Sequence, residues 1–107
     1  PDGFWREMAL NHLSWSRPFT RVLEGGLAGG DARWFADGQL NACYNCVDRH
    51  AAGRRGSHPA LLWEGDAPHQ QRRLTYRQLL ADVCRFARLL RARGVQRGDR
   101  VALYMPQ

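Results

Sequence analysis

Thr75-Tyr76-Arg77-Gln78-Leu79-Leu80-Ala81-Asp82-Val83-Cys84-Arg85-Phe86-Ala87-Arg88-Leu89-Leu90 is the stretch that decides the fold class. Thr75 with Gln78 three residues on spells a capping box, two side chains that satisfy each other's backbone amides at a helix start. Leu79, Leu80, Val83, Phe86, Ala87 and Leu90 recur at helical spacing and mark an apolar face, with Arg77, Arg85, Arg88 and Arg91 mainly away from it. Gly94 stands where a helix that ends in a left-handed residue wants glycine. Upstream, Ala60-Leu61-Leu62-Trp63 after Pro59 reads as a short buried strand. Gly65-Asp66-Ala67-Pro68 turns the chain, and Arg73-Leu74-Thr75 returns as a partner strand. Downstream, Gly98-Asp99 turns into Val101-Ala102-Leu103-Tyr104-Met105, an apolar strand expected to be buried on both faces. Strand, strand, helix, strand predicts a crossover in a mixed α/β sheet.

The first half is less regular. Phe4, Trp5, Met8, Ala9, His12 and Trp15 form a helix face over residues 4–15, with Asp2 as N-cap and Pro18 ending the run. Gly25-Gly26-Leu27-Ala28-Gly29-Gly30 is a flexible loop, and Asp37-Gly38 a turn. Asn41 caps a helix over 42–52, with Tyr44, Val47 and Ala51 on one side and Arg54-Arg55-Gly56 ending it. The expected organisation is a helical, irregular N-terminal cap over 1–59, followed by the start of an α/β domain over 60–107. Four tryptophans in so short a chain call for a packing partner.

A chain of 107 residues allows one small core, and 44% hydrophobic with 24% charged residues excludes a disordered tail. No run approaches the ~18 apolar residues of a membrane span. All 16 basic residues are arginine: five face six acids in residues 1–53, and eleven face four in 54–107. The Arg face of the 76–93 helix reads as solvated, because Tyr76 and Phe86 fall on or near the apolar face instead of among the arginines, where they would stack on bases. Nucleic acid and membrane are therefore not expected partners. Three cysteines, an odd number, suit reduced thiols. A start at Pro1 and an end at Gln107, just after an apolar run, lead to the expectation of a piece of a larger enzyme. Such a piece is expected to be marginally stable, with exposed apolar surface, and to lack the groups for a reaction.

Each candidate site has a structural alternative. Gly25 and Gly30 have phosphate-loop spacing, but Asp31 occupies the place of the required lysine and would repel phosphate, so the loop reads as a linker. Cys43-x-x-Cys46 with His50 resembles part of a zinc site. A closed site needs a fourth ligand, for which Cys84, His12, His58 and His69 lack the pairing spacing. A redox role would require a thiol activated at a helix N-terminus; the adopted reading is two small, buried, inert thiols. Ser57-His58 are chain neighbours without an orienting third group. Asp48-Arg49-His50 reads as a local knot of salt bridge and hydrogen bonds. Arg97-Gly98-Asp99 reads as a tight turn.

Trp34-Phe35 and the run Leu40-Asn41-Ala42-Cys43-Tyr44-Asn45-Cys46-Val47-Asp48-Arg49-His50 resemble the N-terminal region of AMP-forming acetyl-CoA synthetases. Trp15-x-x-Pro18-Phe19, Leu62-Trp63-Glu64-Gly65-Asp66, Leu74-Thr75-Tyr76-Arg77-Gln78-Leu79, Val83-Cys84-Arg85-Phe86-Ala87 and Gly94 to Pro106 are similar to that family in order and spacing. The resemblance implies the adenylate-forming fold. It implies a parent enzyme that turns acetate, ATP and coenzyme A into acetyl-CoA, AMP and pyrophosphate through acetyl-AMP, with Mg2+. The family's phosphate loop, ribose motif and catalytic lysine lie further along the chain, so no catalytic, cofactor-binding or metal-binding residue is carried onto these positions. Trp34, Asn41, Asn45, Asp48, Arg49 and His50 are implied to be architectural, tying the cap to the body, and the remainder of the parent chain is the implied partner. The family more often has serine at position 43. A propionate or other short-chain ligase and a stand-alone binding module are the alternatives. The implied location is cytoplasmic, or the mitochondrial matrix in a eukaryote.

Overall fold

A computed structural model of the chain describes residues 2–67 and 69–105. It divides into two units, Pro1–Arg55 and Gly56–Gln107. In the second, the capping box is complete. The Thr75 Oγ1 accepts the Gln78 amide at 3.3 Å, and the Thr75 amide donates to the Gln78 Oε1 at 2.9 Å. The helix it opens, α3, runs Tyr76–Ala92. At its far end Gly94 has φ +83°, its amide donates to the Arg91 carbonyl at 3.0 Å, and the Val95 amide donates to the Leu90 carbonyl at 3.1 Å. That pair of bonds is the Schellman motif, and the left-handed glycine makes it possible.

Before α3, β3 (Pro59–Glu64) and β4 (Gln71–Thr75) pair antiparallel. Leu61 faces Leu74, Trp63 faces Arg72 and Glu64 faces Gln71, with a register shift between Pro59 and Leu61. The Gly65 amide closes the turn on the Gln70 carbonyl at 2.7 Å; Pro68, part of the expected turn, lies outside the described residues. Two features of this half depart from expectation. β3 is not buried: Leu62 is 71% exposed and Trp63 half-exposed. Residues 101–105 form no strand among the described residues, and Leu103, Tyr104 and Met105 are exposed. An extended run becomes a strand only when a neighbour takes its backbone amides and carbonyls. β3 and β4 spend theirs on each other, so the expected crossover sheet does not appear. The apolar face of α3 likewise stays partly open, with Phe86 53% exposed.

The first unit begins with α1 (Asp2–His12). Asp2 lies inside the first turn rather than at the N-cap. The helix stops well before Pro18 because Trp15 folds back: its indole Nε1 donates to the Ala9 carbonyl at 3.0 Å. The glycine-rich segment connects a short antiparallel pair, β1 (Leu23–Glu24) and β2 (Arg33–Trp34). Arg17 bridges Gln39 in the same sense.

Ala9, Phe19 and Val22 form the buried core, with Trp15 and Phe35 packed against it. The rings meet edge-on or tilted, Trp15 to Phe19 at 4.9 Å and Phe19 to Phe35 at 4.6 Å between centroids. Phe35 has φ +51°, a left-handed backbone costing about 1–3 kcal/mol for a bulky residue. Packing of its ring against Trp15 and Phe19 offsets that cost. Gly38 touches the same cluster: a Cβ there would lie 2.6 Å from the Trp15 Cζ3.

The helix expected over 42–52 is present but not regular. Residues 42 and 43 are helical, Tyr44–Asp48 is a π turn, and α2 follows as Arg49–Ala52. Across both units helices combine with two small antiparallel sheets, so the α/β class holds.

Candidate functional site: the clasp around Asn45

The run Asn41–His50 gathers its polar groups on Asn45, the buried polar residue of the first unit at 5% exposure. Its side-chain amide pairs with the backbone of Ser14 as a neighbouring strand would. The Ser14 amide donates to Oδ1 at 2.7 Å, and Nδ2 donates to the Ser14 carbonyl at 2.9 Å. Nδ2 also donates to the Asn41 carbonyl at 3.0 Å. Asn41 in turn caps the helix, its Oδ1 accepting the Tyr44 amide at 2.9 Å. One primary amide is thus donor twice and acceptor once, which Asp cannot reproduce.

Asn45 also explains the π turn. Its carbonyl would ordinarily accept the amide of Arg49, four residues on. Instead the Arg49 Nε takes it at 2.8 Å, and the Arg49 backbone amide reaches the Tyr44 carbonyl, five residues back. The wider turn rotates the following residues. Asn45 and Ala51 face inward, while Tyr44, expected on one side with Val47 and Ala51, is 47% exposed.

Of the residues expected to form a local knot, Arg49 turns to Asn45, and the Asp48 Oδ2 accepts the Cys43 thiol at 3.3 Å. Trp34 packs edge-on to Trp5 at 5.8 Å. The expected burial of the Cys43 and Cys46 thiols is overturned, since both are exposed, as is Cys84. With the Asn45 side of the turn inward, residues 43 and 46 are left at the surface. No group of three His, Cys, Asp or Glu able to hold a metal exists among the described residues.

The glycine-rich loop carries its own anion: the Asp31 Oδ1 accepts the Gly26 amide at 3.0 Å. A phosphate would have to displace that carboxylate. Ser57 and His58 are both exposed. Arg97-Gly98-Asp99 is the expected turn, with the Gln96 amide donating to the Asp99 Oδ2 at 2.7 Å. On α3, Asp82 pairs with Arg85 and, at 3.9 Å, with Arg72. A second polar tie holds the first unit. The Thr20 hydroxyl and amide both donate to the Asp37 Oδ2, and this hydroxyl bond is the largest influence lowering the Asp37 pKa below the ordinary carboxylate value. No helix among the described residues is long and apolar enough to cross a membrane.

Residues 1–46 match the family described as acetyl-coenzyme A synthetase N-terminus, and residues 47–107 match AMP-binding enzyme. The chain belongs to the AMP-binding enzyme family. It is 51% identical over 106 residues to acetyl-coenzyme A synthetase 2 of Pseudomonas aeruginosa and 51% identical over 107 residues to the acetyl-coenzyme A synthetase of Syntrophus aciditrophicus. A fungal acetyl-coenzyme A synthetase, from Phycomyces blakesleeanus, is 49% identical over 106 residues. Each comparison covers 99% of this chain, and the chain spans 16% of each relative.

Proposed function

We propose that these residues are the N-terminal part of an AMP-forming acetate–CoA ligase. That enzyme would convert acetate, ATP and coenzyme A to acetyl-CoA, AMP and pyrophosphate through acetyl-AMP. The observation that carries this reading is about 50% identity along essentially the whole chain to proteins named acetyl-coenzyme A synthetase. In this reading 1–59 is the cap and 60–107 opens the AMP-binding domain. The Asn45 clasp and the aromatic cluster are architectural, and the open apolar face of α3 receives the remainder of the parent chain.

In this reading the described residues supply no site for ATP, Mg2+ or coenzyme A. The sequence has no lysine, the glycine loop is closed by Asp31, and no carboxylate cluster is present among the described residues. No catalytic step is therefore assigned to them, and binding of these groups is placed in the rest of the parent, which acts in the cytoplasm. Acetate is preferred over propionate as the substrate, since these relatives carry the acetyl name.

The test is acid-dependent ATP–pyrophosphate exchange by the full protein that contains this segment. Acetate is expected to drive exchange faster than propionate, and residues 1–107 alone are expected to give none. A folded full protein that exchanges with neither acid would overturn the proposal; faster exchange with propionate would move it to the neighbouring short-chain ligases.

A further inference from the structure

Cys43 and Cys46 are exposed thiols three residues apart in one helical stretch. Between them lies Asn45, whose amide holds the backbone of Ser14. We propose that Cys43 and Cys46 are a reversible dithiol–disulfide pair whose closure releases the Asn45 clasp.

In a regular α-helix, positions three apart have Cβ atoms about 5–6 Å from each other, and the wider π turn sets Cys43 and Cys46 further apart than that. A disulfide needs about 3.5–4.5 Å. Closure therefore draws the turn in by at least roughly 1–2 Å. The turn that must move is the π segment Tyr44–Asp48, where Arg49 has already broken the regular ladder by taking the Asn45 carbonyl with its side chain. The Ser14 bonds, at 2.7 and 2.9 Å, cannot follow a shift of that size, because hydrogen bonding weakens steeply with stretch and misalignment.

The oxidant is a low-molecular-weight disulfide, RSSR. The Cys43 hydrogen is engaged by the Asp48 carboxylate at 3.3 Å, so Cys46 reacts first. As thiolate it attacks one sulfur of RSSR, breaking the S–S bond and expelling RS−. The product is a mixed disulfide on Cys46. Cys43 then loses its proton to solvent and attacks the Cys46 sulfur, expelling the second RS−. Two protein thiols become one disulfide and RSSR becomes two RSH, the two protons passing through solvent.

The test is incubation of the full protein that contains this segment with oxidised glutathione, acid quenching and trypsin digestion. Cleavage after Arg33 and Arg49 places both thiols in the peptide 34–49, while Cys84 falls in the peptide 78–85. The expected product is the 34–49 peptide lighter by two hydrogens and restored by dithiothreitol. In the oxidised chain the Ser14 amide should exchange with deuterium at least about tenfold faster, as expected when local opening becomes easier. Cys43→Ser should show neither change. Separate glutathione adducts at both positions, with no ring closure, would refute the pair. Ring closure with Ser14 exchange unchanged would refute release of the clasp.

Discussion

Replacing Asn45 is the sharpest perturbation of this chain. Asn45→Ala removes three side-chain hydrogen bonds, two to Ser14 and one to the Asn41 carbonyl. At a net of about 1 kcal/mol each, the loss approaches ~3 kcal/mol. Ser14 is exposed, so water re-satisfies part of what is lost, and the expected cost is about 2 kcal/mol. Asn45→Asp is the more incisive variant. It keeps an acceptor for the Ser14 amide but turns a carboxylate oxygen toward two carbonyls that Nδ2 now satisfies. It should be at least as destabilising as alanine at neutral pH, and should recover in part where the carboxyl is protonated and can donate. The assay is urea unfolding followed by tryptophan emission in a Trp63→Phe background, which leaves Trp5, Trp15 and Trp34 as reporters of the first unit. Exchange of the Ser14 amide is read alongside. Asn45→Asp within ~0.5 kcal/mol of the parent, with Ser14 protection intact, would refute the clasp, because surface changes alone stay in that range.

Gly38→Ala places a methyl 2.6 Å from the Trp15 ring and should cost about 1–3 kcal/mol by overpacking, with a change in Trp15 emission; an unshifted urea midpoint would contradict it. Asp37 has its pKa lowered, chiefly by the Thr20 hydroxyl, so its contribution is full above the ordinary carboxylate value and fades as pH falls through the lowered one. Thr20→Val should therefore shrink the loss of stability as pH falls below the ordinary carboxylate value, measured as urea midpoints across that acid range. Thr75→Ala removes the capping oxygen of α3 and should cost ~1 kcal/mol, seen as reduced helical ellipticity and a lower midpoint.

Features set by short-range chemistry are legible in the sequence itself. Thr75 and Gln78 are three residues apart, Gly94 follows its helix directly, and the Leu61–Leu74 pairing needs only one turn. What the sequence hides depends on distant or absent partners. Leu23–Glu24 and Arg33–Trp34 are too short to show alternation, so the glycine segment reads as a linker rather than a hairpin loop. Nothing local in Asn41–His50 says that the Arg49 side chain will take a carbonyl from its own backbone amide, so the π turn and the exposure of Cys43 and Cys46 are out of reach. Asn45 stands out through its family motif, but its partner Ser14 sits 31 residues away. Residues 101–105 have the composition of a strand, yet composition supplies no neighbour to pair with.

The same difference in separation sets an order of events. The caps of α3 close over three residues, so that helix can form and fray on the sub-microsecond to microsecond scale of isolated helices. The Asn45–Ser14 pair closes a loop of 31 residues, whose entropic cost must be met before its bonds contribute. A contact of that separation is expected to form late, and a φ-value near zero for Asn45→Ala is the measurement that checks it. Its loss would leave the rate of folding nearly unchanged and quicken unfolding, so the clasp sets how long the folded layer lasts.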